Sequence, residues 1–174
     1  GKTVVKEWLY QLLSPEKNVT RSPRSYNSQI GVPLSVWNLD ERSEVGLFEA
    51  GISEPGEMEA LQSVIQPTIG VFTCLGDAHQ ENFTSYEQKC LEKLKLFKDA
   101  KVLVYDMDDA RVVGCVNRSA FKGEYFAWSR QRRDVPLYIA SVEKREAETV
   151  VSYIYKGKEA ACSIPVSYTQ LTLP

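Results

Sequence analysis

Val45-Gly46-Leu47-Phe48-Glu49-Ala50-Gly51-Ile52-Ser53-Glu54-Pro55-Gly56-Glu57 passes from an apolar run, through a turn, to the start of a helix. The run over residues 45–50 is apolar at consecutive positions apart from Glu49, the pattern of a strand covered by helices on both faces of a parallel sheet. Pro55 near the first turn opens a helix whose buried face is Met58, Leu61 and Ile65. The alternation of strand and helix then continues. Residues 69–75 and 101–105 are further apolar runs, and between them Thr84 or Ser85 opens a helix with Tyr86, Cys90, Leu94 and Phe97 on one face. Upstream, Val5, Trp8, Leu9, Leu12 and Leu13 recur at i, i+3, i+4, i+7 and i+8, one face of a helix that Pro15 helps to end. From Gly123 the texture turns β-rich, with a strand over 137–142 and a hairpin of 150–155 and 159–164 turning at Lys156-Gly157-Lys158. The expected fold is α/β: a three-layer domain of P-loop type around a mostly parallel sheet, with a β-rich C-terminal annex.

Composition bounds the rest. With 174 residues, 43% hydrophobic and 25% charged, the chain is long enough for one sizeable core. A formal charge of -2, with Lys and Arg scattered, leaves no basic footprint for nucleic acid. No apolar stretch reaches the ~20 residues that a bilayer span needs, and the first residues lack the order of a signal peptide, so no membrane partner and a cytoplasmic location are expected. Cys74, Cys90, Cys115 and Cys162 lie far apart without a C-x-x-C pair, and read as reduced, buried thiols. Residues 1–165 read as one domain. Residues 166–174 carry no charge and no capping signal, and read as a non-native tail.

Gly1-Lys2-Thr3 stands directly before the first helix, as the second half of G-x-x-x-x-G-K-S/T does. In that loop backbone N–H groups hold phosphates, Lys reaches the terminal phosphates and the hydroxyl serves Mg²⁺. The tripeptide alone equally describes a capped helix with an exposed Lys, and the preceding strand and first loop glycine are missing, so the domain is expected to be incomplete at its N-terminus. Glu49 falls at the C-terminal end of its strand, the sheet edge where ligands gather in α/β folds. The next strand ends in Cys74-Leu75-Gly76-Asp77-Ala78-His79, which brings the single histidine, His79, to the same edge. Taken singly, a strand-end Glu is more often solvated and a lone His more often structural.

In order and spacing, Gly1-Lys2-Thr3-Val4-Val5-Lys6-Glu7, the stretches 26–33 and 48–57, and Leu75-Gly76-Asp77-Ala78-His79-Gln80-Glu81-Asn82-Phe83 together resemble the central ATPase domain of the Mur ligase family. The wording is most similar to the branch that joins D-alanyl-D-alanine to UDP-N-acetylmuramoyl-tripeptide, and Ser129-Arg130-Gln131-Arg132-Arg133 to forms fused to an alanine racemase. The resemblance implies ATP and Mg²⁺ as cofactors, phosphate binding by Gly1, Lys2 and Thr3, and one Mg²⁺ on Thr3 and Glu49. It implies a second Mg²⁺ on His79 and on Lys93, the latter carried as a carbamate, and a tripeptide contact by Asn27. Lys2, His79 and Lys93 are the implied catalytic residues. Helical spacing alone does not choose Lys93, because Lys98 borders the same apolar stripe.

The implied reaction passes the γ-phosphoryl group of ATP to the tripeptide carboxylate, and the amine of D-alanyl-D-alanine then attacks the acyl phosphate. The sequence departs from the family pattern at Val4, Asp106 and Lys95. The resemblance also places further domains on both sides of the chain, so that by itself it is expected to bind ATP weakly and form no amide. A P-loop kinase of a small metabolite and a non-catalytic nucleotide-binding fragment remain the alternatives; the kinase does not account for the Glu49 and His79 strand ends.

Overall fold

The computed structural model describes residues 1–76 and 80–165. Helix α1 (Lys2–Leu13) leads into β1 (Val19–Arg21), α2 (Gly31–Val36), β2 (Val45–Leu47), α3 (Glu57–Ile65) and β3 (Ile69–Phe72). Helix α4 (Tyr86–Leu94), β4 (Val102–Asp106), α5 (Ala110–Arg118) and the strands β5 (Glu124–Ser129), β6 (Leu137–Lys144), β7 (Glu148–Tyr155) and β8 (Lys158–Pro165) follow. Strands β3-β4-β5-β6 are parallel neighbours, and β6-β7-β8 extend the sheet with antiparallel pairs. The fold is mixed α/β around a mainly parallel sheet, with the expected β-rich annex. Among the described residues, no helix is long and apolar enough to cross a membrane.

Local chemistry accounts for the boundaries. Ser85 caps α4, its hydroxyl accepting the Gln88 N–H at 3.0 Å, and Asp109 caps α5 by accepting from the N–H groups of Arg111 and Val112. The β7–β8 turn is tighter than expected. Tyr155 pairs with Lys158, leaving Lys156 and Gly157 as a two-residue loop with φ of 49° and 78°, the left-handed pair that matches the twist of a hairpin.

Helices α4 and α5 bury Cys90, Leu94, Val112, Cys115 and Val116 against Phe72, Leu103, Tyr105 and Ala127 of β3, β4 and β5. A second cluster joins Val32, Met58, Leu61, Phe83 and Leu96 around α2 and α3. Gly70 lets β3 pass against Phe97, whose ring fills the space that a Cβ would take.

Several expectations are corrected. The run 45–50 does not join the main sheet: β2 pairs in parallel with β1 alone, making a separate two-stranded sheet. The reason is that β1, a three-residue Val19-Thr20-Arg21 strand without an apolar run, takes the ladder of β2, while β3 takes β4 as its partner. Burial of β3 is one-sided, because Gly70 and Phe72 face the α4–α5 core while Ile69 and Val71 remain 62% and 39% exposed. The apolar stripe of α1 is only half-buried, with Leu12 68% exposed, and its one fully buried residue is Lys6. Of the four thiols expected to be buried, Cys90 and Cys115 are, whereas Cys74 and Cys162 are exposed beyond the β3 ladder and on the sheet-edge strand β8.

Candidate active site

The N-terminus of α1 and the segments following β2 and β3 enclose an open cleft of about 410 Å³. Gly1, Lys2, Thr3, Asn27, Glu49 and Lys93, all singled out in the sequence, line it. The remaining expected member, His79, lies outside the described residues.

Gly1 caps α1 without a side chain, and its carbonyl accepts the Val5 N–H at 3.2 Å. The N–H groups of the first turn have no intrahelical partner and carry the positive end of the helix dipole, which suits an anion. Lys2 is exposed and Thr3 half-buried at this end.

Glu49 is 5% exposed. Its N–H donates to the Ser22 hydroxyl at 3.4 Å, and its Oε1 accepts from the Asn27 amide at 2.8 Å. Oε2 is buried with no hydrogen-bond partner. The Asn27 carbonyl also accepts the Gly51 N–H at 2.7 Å, so this residue ties the loop before α2 to the end of β2. Beneath them Lys6 donates to the carbonyls of Ser22, at 2.7 Å, and Arg24. Burial pulls the Lys6 ammonium below the usual lysine range, and the nearby Glu49 carboxylate opposes that shift.

Lys93 reaches the cleft from α4. Burial, then the charges of Lys2 and Lys89, push its ammonium down to about 8. One turn earlier on the same helix, Lys89 is fully buried and donates to the Gly76 carbonyl at 2.8 Å, which ties the loop after β3 to α4. Cys74, which also lines the cleft, and Lys6 and Lys89, which lie outside its lining, are not among the residues expected there. The i, i+4 spacing of Lys89 and Lys93 was available as a signal, whereas nothing in the local pattern marks Lys6 as buried.

An ionised carboxylate oxygen buried without a partner is costly, and the cost is relieved by a cation. Among the described residues, no group of three or more His, Cys, Asp or Glu converges. The Glu49 carboxylate beside a phosphate-suited helix end, in a cleft that Glu57 also lines, fits Mg²⁺, which typically binds one or two carboxylates together with substrate phosphates.

The sequence profile of the Mur ligase middle domain matches residues 1–167. This chain belongs to the Mur ligase family. It is 34% identical over 111 residues to the UDP-N-acetylmuramoyl-tripeptide–D-alanyl-D-alanine ligase of Borreliella burgdorferi, covering 63% of this chain and 24% of that protein. The enzyme of the same name from Bacillus subtilis is 30% identical over 112 residues, with coverage of 63% and 24%. The chain thus spans about a quarter of the length of these curated relatives. A crystal structure of MurF from Acinetobacter baumannii shares the Mur ligase fold at a TM-score of 0.82 and 18% identity, over 95% of this chain and 36% of that one. The MurF ligase of Thermotoga maritima, solved in complex with ADP, has a TM-score of 0.80 at 25% identity, over 94% and 38%.

Proposed function

We propose that this chain is the nucleotide- and metal-binding middle domain, over residues 1–165, of a cytoplasmic ATP-dependent ligase that joins D-alanyl-D-alanine to UDP-N-acetylmuramoyl-tripeptide in peptidoglycan synthesis. The observation that carries the reading is the meeting of Gly1, Lys2 and Thr3 with Glu49 and Lys93 in one cleft. The names of the relatives supply the substrates. The stretch 129–133 supports a parent fused to an alanine racemase, and flanking domains would complete the substrate sites.

In this reading the first-turn N–H groups of α1 bind the phosphates, and the Lys2 ammonium balances charge that develops on the γ-phosphoryl group as it passes to the tripeptide carboxylate. Bound Mg²⁺ supplies further charge neutralisation there. Glu49 Oε2 and the Thr3 hydroxyl would hold one ion, with His79 and a carbamate on Lys93 assigned to a second. Lys93 suits that modification because an amine displaced to about 8 is partly neutral near pH 7, and the neutral amine is the form that adds CO₂. Asn27, assigned to the tripeptide side, acts by shaping the loop, since its amide and carbonyl are engaged with Glu49 and Gly51.

The test uses the ligase carrying this domain with its flanking domains, incubated with ATP, Mg²⁺, the UDP-linked tripeptide and D-alanyl-D-alanine. ADP, phosphate and the pentapeptide product are expected, and Lys2→Ala should lower turnover by about 10²–10³-fold. A stable phosphorylated product, as a kinase leaves, or near-normal turnover in Lys2→Ala overturns the reading.

A further inference from the structure

We propose that Cys74 is a site of reversible thiol modification, where an anionic low-molecular-weight disulfide forms a mixed disulfide that blocks the phosphate end of the cleft. The consequence for nucleotide rests on the cleft assignment above; the modification itself does not. Cys74 lines the cleft and is exposed, and its Sγ lies 3.7 Å from the point where a Cβ on Gly1 would stand. The thiol therefore abuts the first residue of the phosphate-suited helix end. That this cavity is built for a ligand follows independently from Glu49, 95% buried with Oε2 unpartnered at its wall.

Charge sets the class of reagent. Lys2 and Lys93 line the same cleft, as do Glu49 and Glu57, and Cys74 and Lys93 are close enough to interact electrostatically. The Lys2 ammonium, joined by that of Lys93 when it carries no carbamate, draws a carboxylate-bearing disulfide, such as glutathione disulfide, toward the sulfur. Geometry sets the selectivity: Cys90 and Cys115 are 0% and 2% exposed in the α4–α5 core, and Cys162 is exposed on β8 outside the cleft.

In the exchange, the Cys74 thiol gives its proton to solvent and the thiolate attacks one sulfur of the disulfide. The reagent's S–S bond breaks as the new one forms, and the departing thiolate leaves with the electron pair and is protonated by water. The disulfide is the oxidant, and a thiol reductant reverses the step.

The test treats the 174-residue chain with glutathione disulfide and, separately, with neutral 2-hydroxyethyl disulfide, and maps the adducts by mass spectrometry. Cys74 is expected to react at least about tenfold faster than Cys162 with the anionic reagent. Lys2→Met should slow that reaction several-fold and leave the neutral one unchanged. Mg²⁺-ATP should protect Cys74 and not Cys162, and the adduct should weaken ATP binding at least about tenfold, with full recovery in dithiothreitol. In Cys74→Ser, the disulfide should leave ATP binding where that variant starts.

Equal labelling of Cys74 and Cys162 with no effect of Lys2→Met overturns the proposal, as does normal ATP binding by the Cys74 adduct. If the untreated chain binds no ATP, the nucleotide reading fails, and the labelling rates with the two reagents alone decide the thiol site.

Discussion

Lys93 should titrate in the native chain near pH 8, against about 10.4 for an ordinary lysine. The magnitude follows from its surroundings: burial is the largest cause, and the charges of Lys2 and Lys89 add to it. At pH 7.4, roughly a fifth of Lys93 is then neutral amine, against about 0.1% for an ordinary lysine. Competitive trace acetylation from pH 6 to 11, followed by peptide mapping, reads this directly. The reactivity of Lys93 should level off above a midpoint near 8 in the native chain, and near 10.4 once the chain is denatured.

Lys2→Met should raise the native midpoint by less than the full displacement, because burial remains. The proposed carbamate should form with ¹³C-bicarbonate, and its NMR signal should vanish in Lys93→Met. The linked stability has a definite sign. Between about 8 and 10.5 the unfolded chain binds more protons at Lys93 than the folded one, so this residue's contribution to stability rises with pH through that window. Below about 8 the penalty on the fold is fully present. A native acetylation midpoint near 10.4 would refute the reasoning.

Glu49→Gln removes the carboxylate that faces the buried Lys6 ammonium and the proposed cation, so the stabilisation by Mg²⁺ in thermal unfolding should be lost; a Mg²⁺ effect left intact in this variant counts against the cation site. Gly123→Ala places a Cβ 2.5 Å from the Lys101 carbonyl oxygen and 2.6 Å from that of Ala100, and should cost about 3 kcal/mol in urea unfolding. Gly70→Ala should cost less, about 1–2 kcal/mol, because the Phe97 ring it meets can turn while backbone carbonyls cannot; the reverse order would show that the β4–β5 junction yields instead.

Where the deciding interactions are local, the sequence by itself determined the outcome. A helix start at Thr84 or Ser85, the Met58 and Leu61 face of α3, a turn about Gly157 and the position of Glu49 at the end of a strand depend on residues a few positions apart, and periodicity and turn chemistry read them from the chain, while the choice of Ser85 and the two-residue length of the turn came from the structure. What only the tertiary structure decided depends on which distant surfaces meet. Strands β1 and β2 form their own sheet because β1 takes the β2 ladder, a pairing that no apolar count contains. Spacing left Lys93 and Lys98 equivalent on one helical stretch, yet Lys93 lines the cleft while Lys98 lies 3.6 Å from Glu59 of α3. Asn27 reads as turn chemistry in the chain, and only the fold carries it to the carboxylate of Glu49, 22 residues away. Lys6 reads as the polar side of an amphipathic helix, but the carbonyls of Ser22 and Arg24 accept its ammonium and draw it inside. A helical or strand period fixes a residue's direction relative to its own element; what lies in that direction is set by packing between elements.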